Sequence, residues 1–241
     1  MRASLDRHRA ERFFFVHLQK TAGTALWRRL EHHFEPQALY PSPDGRGDVE
    51  SVLSIDHLVE RWRAQREEIE VVTGHFPLCT IELLDAPFTT LTVLREPVER
   101  TLSALRDLQQ RSPELRGAPL EVILADPVRA PLLQNHMVRM LGLSLEEMTA
   151  GALTPGEVTP VHLERAVDRL ADINVVGLQE RFDEFCTELS TRFGWDLGPP
   201  VFMNRTIAVP TPDDLRERVA EANALDIELY REAMRTAHHR R

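Results

Sequence analysis

The chain has little of what secreted, membrane-spanning or metal-binding proteins rely on. Only two cysteines, Cys79 and Cys186, stand among 241 residues. They lie far apart and in no metal-ligand spacing, which argues against a disulfide framework and for two reduced thiols. No stretch approaches the roughly 18 consecutive apolar residues that a membrane helix needs, so stable membrane insertion is not expected. The basic start Met1 to Arg9 leads only into the short apolar run Phe13 to Leu18, and no small-residue cleavage site follows; the expected location is cytoplasmic. Positive charge is in deficit, with 29 Lys and Arg against 38 Asp and Glu and a net charge of -9. That balance disfavours nucleic acid and long polyanions and favours a small or weakly charged partner. The pairs His32-His33 and His238-His239 have no further ligands at metal spacing, so no metal is expected.

What is present is a composition of 42% hydrophobic and 28% charged residues, that of a globular protein whose length suits one α/β domain over residues 1–241. The organising stretch is Phe13 to Leu26. Its aromatic and aliphatic residues run without alternation, as in a strand buried on both faces, and give way at Gln19 to Lys20-Thr21-Ala22-Gly23-Thr24-Ala25. This reads as a strand feeding a helix N-terminus, where backbone amides, the helix dipole and Lys20 converge on a phosphate or sulfate. The alternative is a loop that only turns the chain and caps a helix.

Further along, Thr24 to Phe34 carries helical spacing at Leu26, Leu30 and Phe34. Glu35 to Asp48, with three prolines and two glycines, reads as a loop long enough to cover a site. Ile55 to Glu68 reads as a helix, Glu70 to Gly74 as a strand that places His75 at its end, and Phe88 to Leu94 as a second buried strand ending at Arg95. Pro97 suits the first position of the following helix, which carries Ser103. An α-helical insert is expected over about 117–150. A helix from Thr159 to Leu170, a strand from Ile173 to Leu178 and a helix from Arg181 to Phe193 follow. Gly198 to Pro212 is a loop containing Asn204 and Arg205, and helices close the chain. The alternation predicts a three-layer α/β fold with a central parallel sheet flanked by helices and ligands at the carboxyl ends of its strands.

A full P-loop would place a glycine immediately before the lysine, where this chain has Gln19, and the strand before Arg95 ends without a metal-binding aspartate. The stretch His17 to Thr24 instead resembles the 5′-phosphosulfate loop of sulfotransferases. Leu94-Arg95-Glu96-Pro97-Val98-Glu99-Arg100-Thr101-Leu102-Ser103-Ala104 resembles their 3′-phosphate motif, in the same order along the chain. Gly74-His75 between the two is similar to the carbohydrate branch related to heparan sulfate 2-O-sulfotransferase, and weaker echoes occur at Gly177 to Phe182 and Asp226 to Tyr230.

The resemblance implies 3′-phosphoadenosine-5′-phosphosulfate (PAPS) as donor and adenosine 3′,5′-bisphosphate (PAP) as product, with no metal required. It places the donor's 5′ end on the amides of Thr21 to Ala25, Lys20 against the bridging oxygen, hydroxyls of Thr21 and Thr24 as donors, and Arg95 with Ser103 on the 3′-phosphate. His75 is implied as the base that takes a proton from a sugar, lipid or secondary-metabolite hydroxyl. In the heparan-related branch a second histidine lies two residues earlier, where this chain has Thr73. Arg205 either reaches a phosphate or the adenine or lies in a solvated turn. His17 either orients Lys20 or is structural. Two other readings stay open: a P-loop kinase-like phosphotransferase, and a non-catalytic nucleotide-binding relative.

Overall fold

The computed structural model describes residues 11–45, 47–148, 156–200 and 210–239. In chain order the elements are β1 (Phe13–Val16), α1 (Gly23–His33), β2 (Leu39–Tyr40), α2 (Val49–Leu53), α3 (Ile55–Gln65), β3 (Val71–Gly74), α4 (Ile81–Leu84), β4 (Thr89–Leu94), α5 (Pro97–Arg111), α6 (Leu120–Leu124), α7 (Ala130–Leu133), α8 (His136–Gly142), α9 (Leu145–Met148), α10 (Pro160–Asp172), β5 (Val175–Leu178), α11 (Phe182–Phe193), α12 (Asp213–Ala222) and α13 (Ala224–His239). The five strands form one sheet in the order β2-β3-β1-β4-β5, parallel in every pairing.

The unbroken run Phe13-Phe14-Phe15-Val16 makes β1 the central strand because each of its faces meets a separate apolar layer. Phe14 and Val16 join Leu58, Trp62, Met137, Leu141, Leu170 and Leu229. Phe13 and Phe15 join Leu26, Trp27, Leu30, Phe185 and Leu189. Each fully buried phenylalanine contributes about 1.5–3 kcal/mol, and the alternation locks the register of β1, since a one-residue slip would exchange the two sets. A smaller cluster fastens α5 to α6 and α12 through Leu102, Leu105, Ile123 and Val219.

Two segments depart from expectation. The stretch from Glu35 to Asp48 is not only a loop: Leu39–Tyr40 forms a fifth, edge strand paired with Val71 and Val72. Two residues between Pro36 and Pro41 are too few to show strand periodicity. The expected insert also contains α8, which is no appendage, because all seven of its residues are buried and its Met137, Val138, Met140 and Leu141 belong to the core.

The strand order decides where a ligand can sit. The chain leaves β1 towards β2 at one edge and leaves β4 towards β5 at the other. Connections departing to opposite sides open a crevice at the carboxyl ends of the two strands. Lys20 follows β1, and Arg95 follows β4. No described helix is long and apolar enough to cross a membrane.

Candidate functional site

The loop from Gln19 to Ala22 forms one wall of the crevice. Lys20 and Ala22 hold φ of 70° and 67°, left-handed values that cost a non-glycine residue about 1–2 kcal/mol each. Strain of this kind gathers at functional sites, and left-handed residues in a short loop turn successive amides into a concave nest for anions. Ala22 is also the N-cap of α1 and supplies no side-chain bond, and the first turn contains no acid. Backbone bonding begins with the amides of Ala25 and Leu26 donating to the Ala22 carbonyl, so the Gly23 and Thr24 amides point out of the helix end. The positive end of α1 is therefore left for an outside anion. By contrast, α5 satisfies its own start, with Glu96 accepting from the amides of Val98 and Glu99.

Arg95 ties the two walls together. Its Nη1 donates to the Lys20 carbonyl at 3.0 Å, while its Nε is buried without a hydrogen-bond partner among the described residues. Burial lowers the Arg95 pKa, with Glu180, Glu99 and Glu96 opposing the shift. The Lys20 Nζ lies 3.2 Å from Asp107 Oδ1, an oxygen that also accepts from Arg111 Nε at 2.8 Å. Asp107 stands one helical turn beyond Ser103, so both occupy the side of α5 that meets Lys20. Ser103 is buried at 9% exposure. Thr21 is committed elsewhere: its buried hydroxyl donates to the Leu18 carbonyl at 2.7 Å, leaving its amide for the concavity. Ala22 and Thr24 are partly exposed beside it, while Ala25 is buried. Asn204 and Arg205 lie outside the described residues.

His75 follows β3 directly. Gly74 has φ 149°, and a Cβ there would stand 2.3 Å from the Phe76 ring, so the turn that presents His75 requires glycine. The His75 amide donates to the Val52 carbonyl at 2.8 Å, and Nδ1 lies 2.9 Å from the His17 carbonyl. A carbonyl can only accept, so Nδ1 carries the proton and Nε2 keeps its lone pair. Burial lowers the His75 pKa, aided by the charge of Lys20 and opposed by the bond to His17, which leaves the ring neutral near pH 7. The His17 ring is 4.4 Å from that of His75, centroid to centroid, and stacks on Phe15. Its Nε2 lies 1.7 Å from where a Cβ on Gly23 would stand. Gly23 is thus required by the packing of His17.

A buried polar layer lies beneath the loop. His136 is fully buried; it donates from Nδ1 to the Pro131 carbonyl at 3.0 Å and turns Nε2 towards the Gln19 amide at 3.5 Å. Burial, with Arg100 adding to it, holds its pKa well below the usual histidine value. Asp226, also fully buried, accepts the Met137 and Val138 amides at 3.0 and 2.8 Å and so caps α8. Arg100 donates to the Leu132 carbonyl at 3.0 Å and to Thr101 Oγ1 at 2.8 Å. The bonds of His136 to Gln19, of Arg100 to Leu132 and of Asp226 to Met137 and Val138 join segments remote in sequence, and no local pattern announces them.

Gly74→Ala is expected to destabilise the protein by about 1–3 kcal/mol from the backbone conformation alone, with displacement of Phe76 added. Denaturant unfolding of wild type and variant measures the loss.

Against this geometry, no protein-family model matches the chain, and no curated protein matches it. Among solved structures, it is similar to a sulfotransferase from Alicyclobacillus acidocaldarius, with a TM-score of 0.54, 19% identity, and coverage of 91% of this chain and 93% of that one. At that identity the likeness concerns the fold. The five-stranded parallel sheet with helices on both faces is that of a sulfotransferase.

Proposed function

We propose that the protein transfers a sulfuryl group from PAPS to a hydroxyl acceptor. The observation that carries this reading is the meeting, at one crevice, of an uncapped helix start, Lys20, Arg95 and a histidine whose Nε2 is unprotonated. In this reading the 5′-phosphosulfate lies on the loop amides from Thr21 to Ala25. Lys20 leaves Asp107 and stabilises charge developing on the bridging oxygen as the sulfur–oxygen bond breaks. Arg95, with Nε still unpaired, and Ser103 bind the 3′-phosphate and separate this donor from ordinary nucleotides. His75 Nε2 accepts the acceptor's proton as the alcohol or phenol oxygen attacks sulfur in line. Lys20 and His75 act on the reacting atoms, and the remaining groups position the donor. No metal enters the mechanism.

The sulfotransferase fold supports the reaction class, and Gly74-His75 between the two phosphate motifs supports the carbohydrate-type branch. The test is incubation with labelled PAPS and a set of sugar, phenol and alcohol acceptors. Label on an acceptor hydroxyl, with release of PAP, is expected. Magnesium-dependent ATP turnover with no label leaving PAPS would contradict the proposal.

Asp107 has a measurable part in this scheme. A partly exposed pair such as Lys20–Asp107 contributes about 0–1 kcal/mol, and the donor must compete with it. Asp107→Asn is therefore expected to tighten PAP binding by up to about fivefold, read by calorimetric titration.

A further inference from the structure

The acceptor is unnamed in that reading, and a cavity at the open edge of the sheet bears on it. The cavity has a volume of about 460 Å³, within the range of small-molecule sites. It lies along β2 and α3, with Leu39, Pro41 and Ile69 giving it apolar lining and Tyr40, His57 and Arg61 giving it polar groups. Tyr40 is 4% exposed, and its hydroxyl is buried without a hydrogen-bond partner among the described residues. A buried phenol left unpaired is costly, and a ligand oxygen would relieve it. Burial also raises the Tyr40 pKa, which keeps the hydroxyl a donor.

The donor inventory selects the ligand. A guanidinium and a phenolic hydroxyl both donate, and none of the described residues lining the cavity is an acid. Of the two carboxylates near Tyr40, Asp48 and Glu50, Asp48 is engaged in capping α2, accepting from the amides of Glu50 and Ser51 and from the Ser51 hydroxyl, and neither lines the cavity. A carboxylate satisfies both donors with charge assistance, whereas a neutral alcohol offers Arg61 no countercharge.

The backbone links the cavity to the candidate base. Ser51 lines it, and the carbonyl of the next residue, Val52, accepts the His75 amide at 2.8 Å. Tyr40, the last residue of β2, pairs with Val72, three residues before His75 in the chain.

We propose that this cavity holds the carboxylate end of a small hydroxylated organic acid, with Arg61 and Tyr40 as its ligands, and that the acid's hydroxyl is what reaches His75. The second clause rests on the sulfuryl-transfer reading; the first does not.

Calorimetric titration of 4-hydroxybenzoate, without donor, tests it on the wild-type protein and on Arg61→Ala, Tyr40→Phe and Lys20→Ala. Arg61 is exposed, and Tyr40→Phe removes only an unpaired hydroxyl, so both variants are expected to fold. The acid should bind wild type and Lys20→Ala alike, about tenfold more weakly to Arg61→Ala, and more weakly to Tyr40→Phe. Its neutral counterpart, 4-hydroxybenzyl alcohol, should bind wild type at least about tenfold more weakly than the acid. No binding to wild type, equal affinity for Arg61→Ala, or loss in Lys20→Ala, which would put the acid in the anion loop, overturns the proposal. Because binding is read without donor, a failure of sulfuryl transfer leaves this result standing, and a failure here leaves transfer to other acceptors untouched.

Discussion

Replacing Lys20 with alanine is expected to lower the rate of the proposed sulfuryl transfer by about 10²–10³-fold and to leave the fold intact. The first half follows from where the ammonium can act. It sits on a strained loop beside the open end of α1, and a single fixed donor aimed at developing charge has that order of effect in a site shielded from water. The second half follows from how little Lys20 holds together. Its pair with Asp107 joins side chains that are 26% and 33% exposed, a setting where solvent screening leaves little net stability. Alanine keeps the Cβ, so the left-handed backbone at φ 70° is strained to the same degree in both proteins. Steady-state transfer rates with matched circular dichroism and unfolding curves measure both halves. A variant that is folded and fully active would remove Lys20 from the chemistry.

Replacing His75 with alanine is expected to slow turnover by about 10²–10⁴-fold, the range for losing a general base, with PAP binding close to that of wild type. The split is expected because His75 follows β3, whereas the proposed donor-binding groups lie on the loops after β1 and β4. The pH profile supplies an independent reading. Burial and the Lys20 charge lower the His75 pKa below the ordinary value of 6.5, and only the neutral ring can accept a proton. The wild-type rate is therefore expected to be flat around neutrality and to fall as pH drops through a point below 6.5. Removing the Lys20 charge moves that point upward, which an NMR titration of His75 in Lys20→Ala detects even where turnover is too slow to follow. A rate that rises as pH falls would exclude His75 as the base.

The frame of the site was legible because it rests on local signals. Phe13 to Val16 reads as a doubly buried strand, Pro97 marks the start of α5, and Gly74 places His75 at a strand end. These features depend on hydrophobic runs and on residues with restricted backbones, which act over a few positions. What was not legible depends on partners brought in from elsewhere. The hydroxyl of Thr21 could equally have pointed at a ligand, and only the folded loop turns it to Leu18. Along the sequence Asp107 is one more charge on an amphipathic helix, and only the fold sets Lys20 against it. His136 and Asp226 are polar residues without exposure, stabilised by amides and carbonyls that no spacing encodes. The edge strand Leu39–Tyr40 was hidden for the opposite reason, being too short to carry a period. Both of its residues line the cavity at the edge of the sheet.

The central claim is that the crevice between β1 and β4 is built for a nucleotide with phosphates at both its 3′ and 5′ positions. Calorimetric titration of the wild-type protein with PAP and with ADP, without magnesium, tests it most directly, with Arg95→Ala alongside. The account predicts that PAP binds more tightly than ADP and that Arg95→Ala removes most of the difference. Equal binding of the two nucleotides, or a preference for ADP, would contradict it.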